Sequence, residues 1–254
     1  FEVRSWERGS TERAVLLQAK GGDQALSVCA LGGSVGTAEG GLIAEVIEVD
    51  DLEEVHARAD EMKGRIVFFN RPMDPSTVST FRAYGGAADQ RVHGASAAAR
   101  HGAVGVLVRS MTMKQDDVPH TGIMIYRDGV AKIPAAALGL RSADRLSAAL
   151  KADPQLRVEL ELSAVERPAV EARNILGQLS GVTRPEEVVL LGCHLDAWDK
   201  GCGAHDDGAG CVQAIEALRI LWRLGLPLAR TVRVVLFMDE EMGGVGGKAY
   251  AGAK

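Results

Sequence analysis

The sequence has no basic run, no long apolar stretch and no paired cysteine motif, and each absence argues against a class of function. Lysine and arginine total 29 against 34 aspartates and glutamates, a formal net charge of -5, which speaks against nucleic acid as a partner. No apolar segment is long enough to span a bilayer, so no membrane partner is expected. The four cysteines, Cys29, Cys193, Cys202 and Cys211, stand in no CxxC spacing, which argues against a thiolate zinc site. Cys202 and Cys211 are near enough in sequence to pair in an oxidising compartment, and buried or partly buried thiols are the simpler reading. The chain opens on Phe1 and not on Met, which leaves room for a leader removed or left out. What is present is ordinary: 254 residues, 46% hydrophobic and 25% charged, enough for one large or two ordinary domains with a sizeable core.

The chain is organised around Val188 to Gly210, VVLLGCHLDAWDKGCGAHDDGAG. A short apolar run closed by Gly192 predicts a strand covered on both faces, as in an α/β sheet. His194 and Asp196 follow at its C-terminal end, where ligands bind in open α/β sheets. Their spacing of two puts both on one face of a continuing strand, a geometry that lets an aspartate orient a metal-bound imidazole. A glycine-rich loop then delivers Asp206-Asp207-Gly208 to the start of a periodic segment, Cys211 to Leu224. There Val212, Ile215, Leu218 and Trp222 mark one helical face.

A second apolar run, Thr231 to Met238, ends in Asp239-Glu240-Glu241. Adjacent carboxylates at a strand end repel unless a cation lies between them or one stays protonated. Each residue alone has a plainer reading. Acids at a helix start cap N–H groups and complement the macrodipole, and a lone histidine is more often structural. Capping is favoured for Asp207, whereas the combination of His194, Asp206 and Glu240-Glu241 favours a metal. The histidines His56, His93, His101 and His120, scattered through the first domain, are read as surface or turn residues.

HLDAWDKGCGAHDDGAG and EEMGGVGG together resemble the metal-site motifs of the co-catalytic zinc exopeptidases of the carboxypeptidase Q type, in the right order, and the likeness extends over nearly the whole chain. It implies an α/β fold: a mixed-sheet zinc exopeptidase domain, here partial, with an inserted β-rich protease-associated domain. The expected division is 1–20 as the N-terminal segment of the catalytic domain, 21–162 as the protease-associated domain and 163–254 as the N-terminal half of the catalytic domain. The resemblance implies two zinc ions, with Asp206 bridging, His194 on one and Glu241 on the other. Glu240 is then the general base, Asp196 a catalytic support, His205 a non-ligand and Asp239 supporting or solvated. It also implies a cis Asp206–Asp207 peptide and two further ligands, an Asp and a His, downstream. None follows Glu241 before Lys254, so a piece of a longer enzyme is expected. The activity implied is hydrolysis of dipeptides or short peptides with a free terminus, by a secreted or periplasmic homodimer. The alternatives are an inactive peptidase-like binding or scaffold protein, or a single-zinc glutaminyl cyclase-type transferase.

Along the first domain, Thr11 to Gln18 reads as a short helix and Gly21 to Gly41 as a β-rich, turn-punctuated region. Leu42 to Val49, Arg65 to Phe69 and Val106 to Arg109 read as strands. Asp51 to Met62 is a connector or short helix, and Gly94 to His101 is an alanine-rich helix completing a βαβ-like unit. Ser142 to Leu150 reads as a closing helix, and RVELEL, Arg157 to Leu162, as a half-exposed strand.

Overall fold

Strand β1 (Glu2–Glu7) opens the chain, followed by β2 (Glu12–Leu17), β3 (Gln24–Leu26), β4 (Val28–Ala30) and β5 (Leu42–Val49). Then come helix α1 (Leu52–Ala57), β6 (Ile66–Phe69), α2 (Thr80–Ala99), β7 (Gly105–Arg109), β8 (Ala135–Leu138), α3 (Leu140–Ala152) and β9 (Arg157–Leu162). The remainder is β10 (Val165–Glu171), β11 (Ile175–Leu179), β12 (Arg184–His194), α4 (Gly210–Leu224), β13 (Arg230–Phe237) and α5 (Val245–Gly252). The structure, a computed structural model, describes residues 1–19 and 21–253. Lys20 and Lys254, the expected ends of the N-terminal segment and of the catalytic half, lie outside the described residues.

The chain forms two compact units, one of Trp6–Arg167 and one of Phe1–Ser5 with Pro168–Lys254. The expected boundaries stood at 20/21 and 162/163, and the compact units part at 5/6 and 167/168. Only Phe1–Ser5 join the C-terminal unit, because β2 pairs along its whole length with β9 and on its other edge with β3. The same pairing corrects the helix expected over Thr11 to Gln18. Ala14 and Leu16 are buried at 1% and 0% exposure while Arg13 reaches Glu159 across the strands at 2.6 Å, the alternation of a strand and not of a helix.

In the larger unit eight strands run in the order β3-β2-β9-β5-β6-β7-β8-β4. Parallel pairing of β5, β6, β7 and β8 needs helices on the faces. Every residue of β6, IVFF, is accordingly buried. β9 alternates, with Val158, Leu160 and Leu162 in the core. Asp51 caps α1, its carboxylate accepting the Glu54 N–H at 2.8 Å. Helix α2 starts far ahead of the expected Gly94, and its first turns bury Ala83 and Ala87 with Met73 and Met111. At Gly94 a Cβ would come within 2.7 Å of the Phe69 ring, so the close helix–strand approach depends on glycine there.

The smaller unit is built on a sheet of order β11-β13-β12. β13 runs antiparallel to β11 and parallel to β12, with His194 opposite Phe237. That parallel register sets two strand ends side by side, and it positions the site described below. β12 is not covered on both faces as its apolar run suggested: Val188, Val189 and Leu190 are 41%, 45% and 40% exposed. Among the described residues it pairs only with β13 and lies at the sheet edge. Helix α4 also turns differently from the expected stripe. Cys211 and Ala214, with Leu218, pack on Cys193, Val234 and Leu236, while Val212, Ile215 and Trp222 face outward. Among the described residues no helix is long and apolar enough to cross a membrane.

Replacing fully buried Leu160 with alanine is expected to lower unfolding stability by about 2–5 kcal/mol in chemical denaturation. Phe81→Ser, at a residue 89% exposed, should shift it by no more than about 0.5 kcal/mol.

Candidate metal centre

His194 is the last residue of β12 and its side chain is 12% exposed. Its Nδ1 lies 2.9 Å from the Asp196 carbonyl oxygen, which leaves Nε2 pointing outward. Nε2 lies 2.9 Å from Asp206 Oδ1 and 3.9 Å from Glu240 Oε2. Asp206 and Glu240 are 75% and 58% exposed, so these carboxylates stand at the mouth of the site and are not part of a packed core.

Asp196 makes no hydrogen bond to His194 through its carboxylate, which the spacing had placed on the same face. The carboxylate is 3.7 Å from Nδ1 and accepts instead the backbone N–H groups of Glu240 and Glu241, each at 3.1 Å. One residue therefore orients the imidazole with its carbonyl and holds the acidic turn after β13 with its side chain. Asp239, expected to be supporting or solvated, is 7% exposed with φ 68°. Its Oδ2 accepts the Val245 N–H at 3.2 Å, which ties the turn to the start of α5.

Residues Ala204–Ala209 form an irregular turn leading into α4, and the Asp206–Asp207 peptide bond within it is cis. Asp207 caps as expected, with Oδ1 accepting the Gly210 N–H at 3.1 Å. It also does what the sequence did not announce, since Oδ2 accepts the His194 N–H at 3.1 Å. A Cβ at residue 210 would lie 2.2 Å from Asp207 Oδ1, so glycine there lets α4 begin directly beneath the carboxylate. The Cys211 thiol donates to the His194 carbonyl at 3.0 Å. Spacing carried no sign of these contacts, nor of the Trp198 indole that donates to Glu241. Ala197, Trp198, Gly203, His205, Asp206 and Glu241 line an open hollow of about 320 Å³ beside the centre.

The electrostatics follow from crowding of like charges. Burial, then the charge of Asp206, and further the charge of Glu240, push the Glu241 carboxyl up to about 7, against smaller opposing effects of Trp198 and His194. Burial disfavours the His194 cation, yet the Asp196 carbonyl, Asp206, Glu240 and the Asp196 charge outweigh it and raise the group above its ordinary value. Burial likewise raises Asp239. One imidazole and the carboxylates of Asp206, Glu240 and Glu241 thus lie near one another, and His194 and Glu241 are both stabilised in the protonated form.

The sequence pattern of peptidase family M28 matches residues 174–254. The chain is 40% identical over 249 residues to carboxypeptidase Q of Xenopus laevis, an alignment covering 98% of this chain and 51% of that protein. A crystal structure of a peptidase M28 precursor from Shewanella amazonensis SB2B superposes with a TM-score of 0.91 at 40% identity, over 99% of this chain and 56% of that one. A zinc aminopeptidase of Bacillus subtilis shares the fold, with a TM-score of 0.64 at 21% identity over 100% of this chain and 53% of that one. The chain spans about half the length of the curated relatives it matches.

Two outcomes are expected. Asp196→Ala should leave the fold intact by circular dichroism but weaken zinc binding about 10–100-fold in competition with a chromophoric chelator. In protein stripped with a chelator, folded Glu241 keeps a proton between the ordinary carboxylate range and about 7 that the unfolded chain has lost. Its contribution to stability therefore falls as pH rises through that window, and the raised His194 acts in the same direction. Zinc displaces those protons, so the rise in Tm on adding zinc should be larger at pH 8 than at pH 6. Equal rises would contradict this coupling.

Proposed function

Residues 174–254 belong to peptidase family M28, and from that premise we propose that the protein is a zinc-dependent exopeptidase cleaving dipeptides or short peptides with a free terminus. The observation that carries this reading is that His194 Nε2 has Asp206 Oδ1 at 2.9 Å and Glu240 Oε2 at 3.9 Å where two adjacent strands end, with the Glu241 carboxyl raised by burial and by the charge of Asp206. The donor set fits zinc, which takes imidazole nitrogen and carboxylate oxygen. His194 would hold one ion, Glu241 the other, and Asp206 both. Zinc bound there supplies Lewis acidity, lowering the pKa of water and polarising the scissile carbonyl.

The chain's own residues do the rest. Glu240 is the general base: its exposed carboxylate takes a proton from the attacking water and returns it to the departing amine. Asp196 keeps Glu240 and Glu241 at their stations through the two backbone N–H groups, and keeps the His194 ring turned with Nε2 outward. The hollow lined by Trp198, His205 and Asp206 receives the peptide next to the metal.

The unit Trp6–Arg167 is the protease-associated module of this reading and carries none of the proposed catalytic residues. A homodimer and a secreted or periplasmic location belong to the same proposal, carried by the resemblance to carboxypeptidase Q-type enzymes. All the ligands expected in this half of the domain are present, which favours a catalyst over an inactive scaffold of the same fold.

In the full-length protein, Glu240→Gln should reduce dipeptide hydrolysis by about 10²–10⁴-fold while leaving zinc stoichiometry unchanged. Turnover near that of the unaltered protein would overturn the base assignment. A metal content of one zinc per chain would favour transferase chemistry instead.

A further inference from the structure

Directly behind the His194 centre lies a second group of donors that the peptidase reading does not use. Cys193 Sγ, Cys211 Sγ and a carboxylate oxygen of Asp207 all lie within 4.8 Å of one another. We propose that these three residues form a separate, protein-enclosed site for a thiophilic d10 cation, of the chemical class of Cd2+ or Cu+.

The geometry needs little change. Some point lies within about 2.8 Å of three atoms no more than 4.8 Å apart, against metal–sulfur and metal–oxygen lengths of about 2.3 and 2.1 Å. An inward movement of roughly half an ångström in each side chain closes the site. Two thiols beside one carboxylate select a soft cation over magnesium or calcium. The surroundings are dry: Cys193 and Cys211 are 7% and 6% exposed and pack with Ala214, Val234 and Leu236. None of the three donors lines the hollow beside His194, so the ion would be out of reach of a peptide there.

Hydrogen bonds leave room for it. Each Asp207 oxygen accepts one backbone N–H, from Gly210 and from His194, and a carboxylate oxygen has a further lone pair. Each thiol now gives its proton to a carbonyl, Cys211 to His194 at 3.0 Å and Cys193 to Val235 at 3.7 Å. Binding of a divalent ion expels both protons, and two thiolates, one carboxylate and the cation sum to a single negative charge. The donors come from β12 and from the start of α4, which is why no CxxC spacing announces them. Cys193 precedes His194 and Asp207 follows Asp206, so an occupied site would hold both chain segments that carry the proposed zinc ligands.

The test is titration of the reduced protein with Cd2+ under anaerobic conditions, followed by ultraviolet thiolate-to-cadmium charge transfer, proton release and cadmium K-edge absorption. One Cd2+ should bind with the absorbance of two thiolates, two protons released and two sulfur neighbours. Cys202→Ser should keep the band, Cys193→Ser and Cys211→Ser should each lose most of it, and Asp207→Asn should weaken binding at least about tenfold. The K-edge measurement on unaltered protein stands even if a variant fails to fold. A sulfur-free cadmium shell, a band abolished by Cys202→Ser, or a Cys193–Cys211 disulfide in the isolated protein would each overturn the proposal. Cadmium at the His194 centre gives no sulfur signal, so this outcome is independent of the peptidase assignment.

Discussion

One carboxylate holds the ends of two strands together. Asp196, just past the end of β12, accepts the N–H groups of both Glu240 and Glu241 in the turn after β13, while its own carbonyl meets the His194 ring. Charge-assisted hydrogen bonds to backbone N–H groups are among the stronger ones, and here they fix two proposed site residues with one side chain. The parallel register of β12 and β13 makes this possible, because it brings His194 level with Phe237 and leaves both acidic turns on the same side.

The second constraint is repulsion. Of His194, Asp206, Glu240 and Glu241 only the imidazole can carry positive charge; burial and then the charge of Asp206 raise Glu241, while the neighbouring acids raise His194 against its burial. A fold that crowds acids in this way loses stability unless a proton or a metal ion intervenes. Asp207 and Cys211 meet the same need from behind, since they bond the N–H and the C=O of His194 and fix the strand end that carries the imidazole. The thiol pair on that inner side is thus part of the centre's support whether or not it takes a cation of its own.

Much of this was legible in the chain. The apolar runs ending in polar residues marked β12 and β13, and RVELEL and RIVFF marked β9 and β6, because side-chain period and apolar composition act locally. The errors fall where partners at long sequence separation decide. Thr11 to Gln18 is a strand because β9, far along the chain, is beside it. The apolar run of β12 is exposed at Val188, Val189 and Leu190, since what packs on the faces of a strand is not encoded in the run itself. The inner face of α4 is Cys211, Ala214 and Leu218, which meet Cys193, Val234 and Leu236 of strands distant from or adjoining it in the chain.

By itself the sequence determined which residue types stand at the ends of the two apolar runs, and so the imidazole and carboxylate chemistry open to this protein. Only the tertiary structure decided how they are used: that Asp196 serves Glu240 and Glu241 through its carboxylate and His194 through its carbonyl, that Asp207 binds the His194 backbone, and that Cys193 and Cys211 are neighbours. The reason is physical. Residue type and period are properties of the local chain, whereas a hydrogen bond between strand ends depends on the register and packing of segments that meet only once the chain has folded.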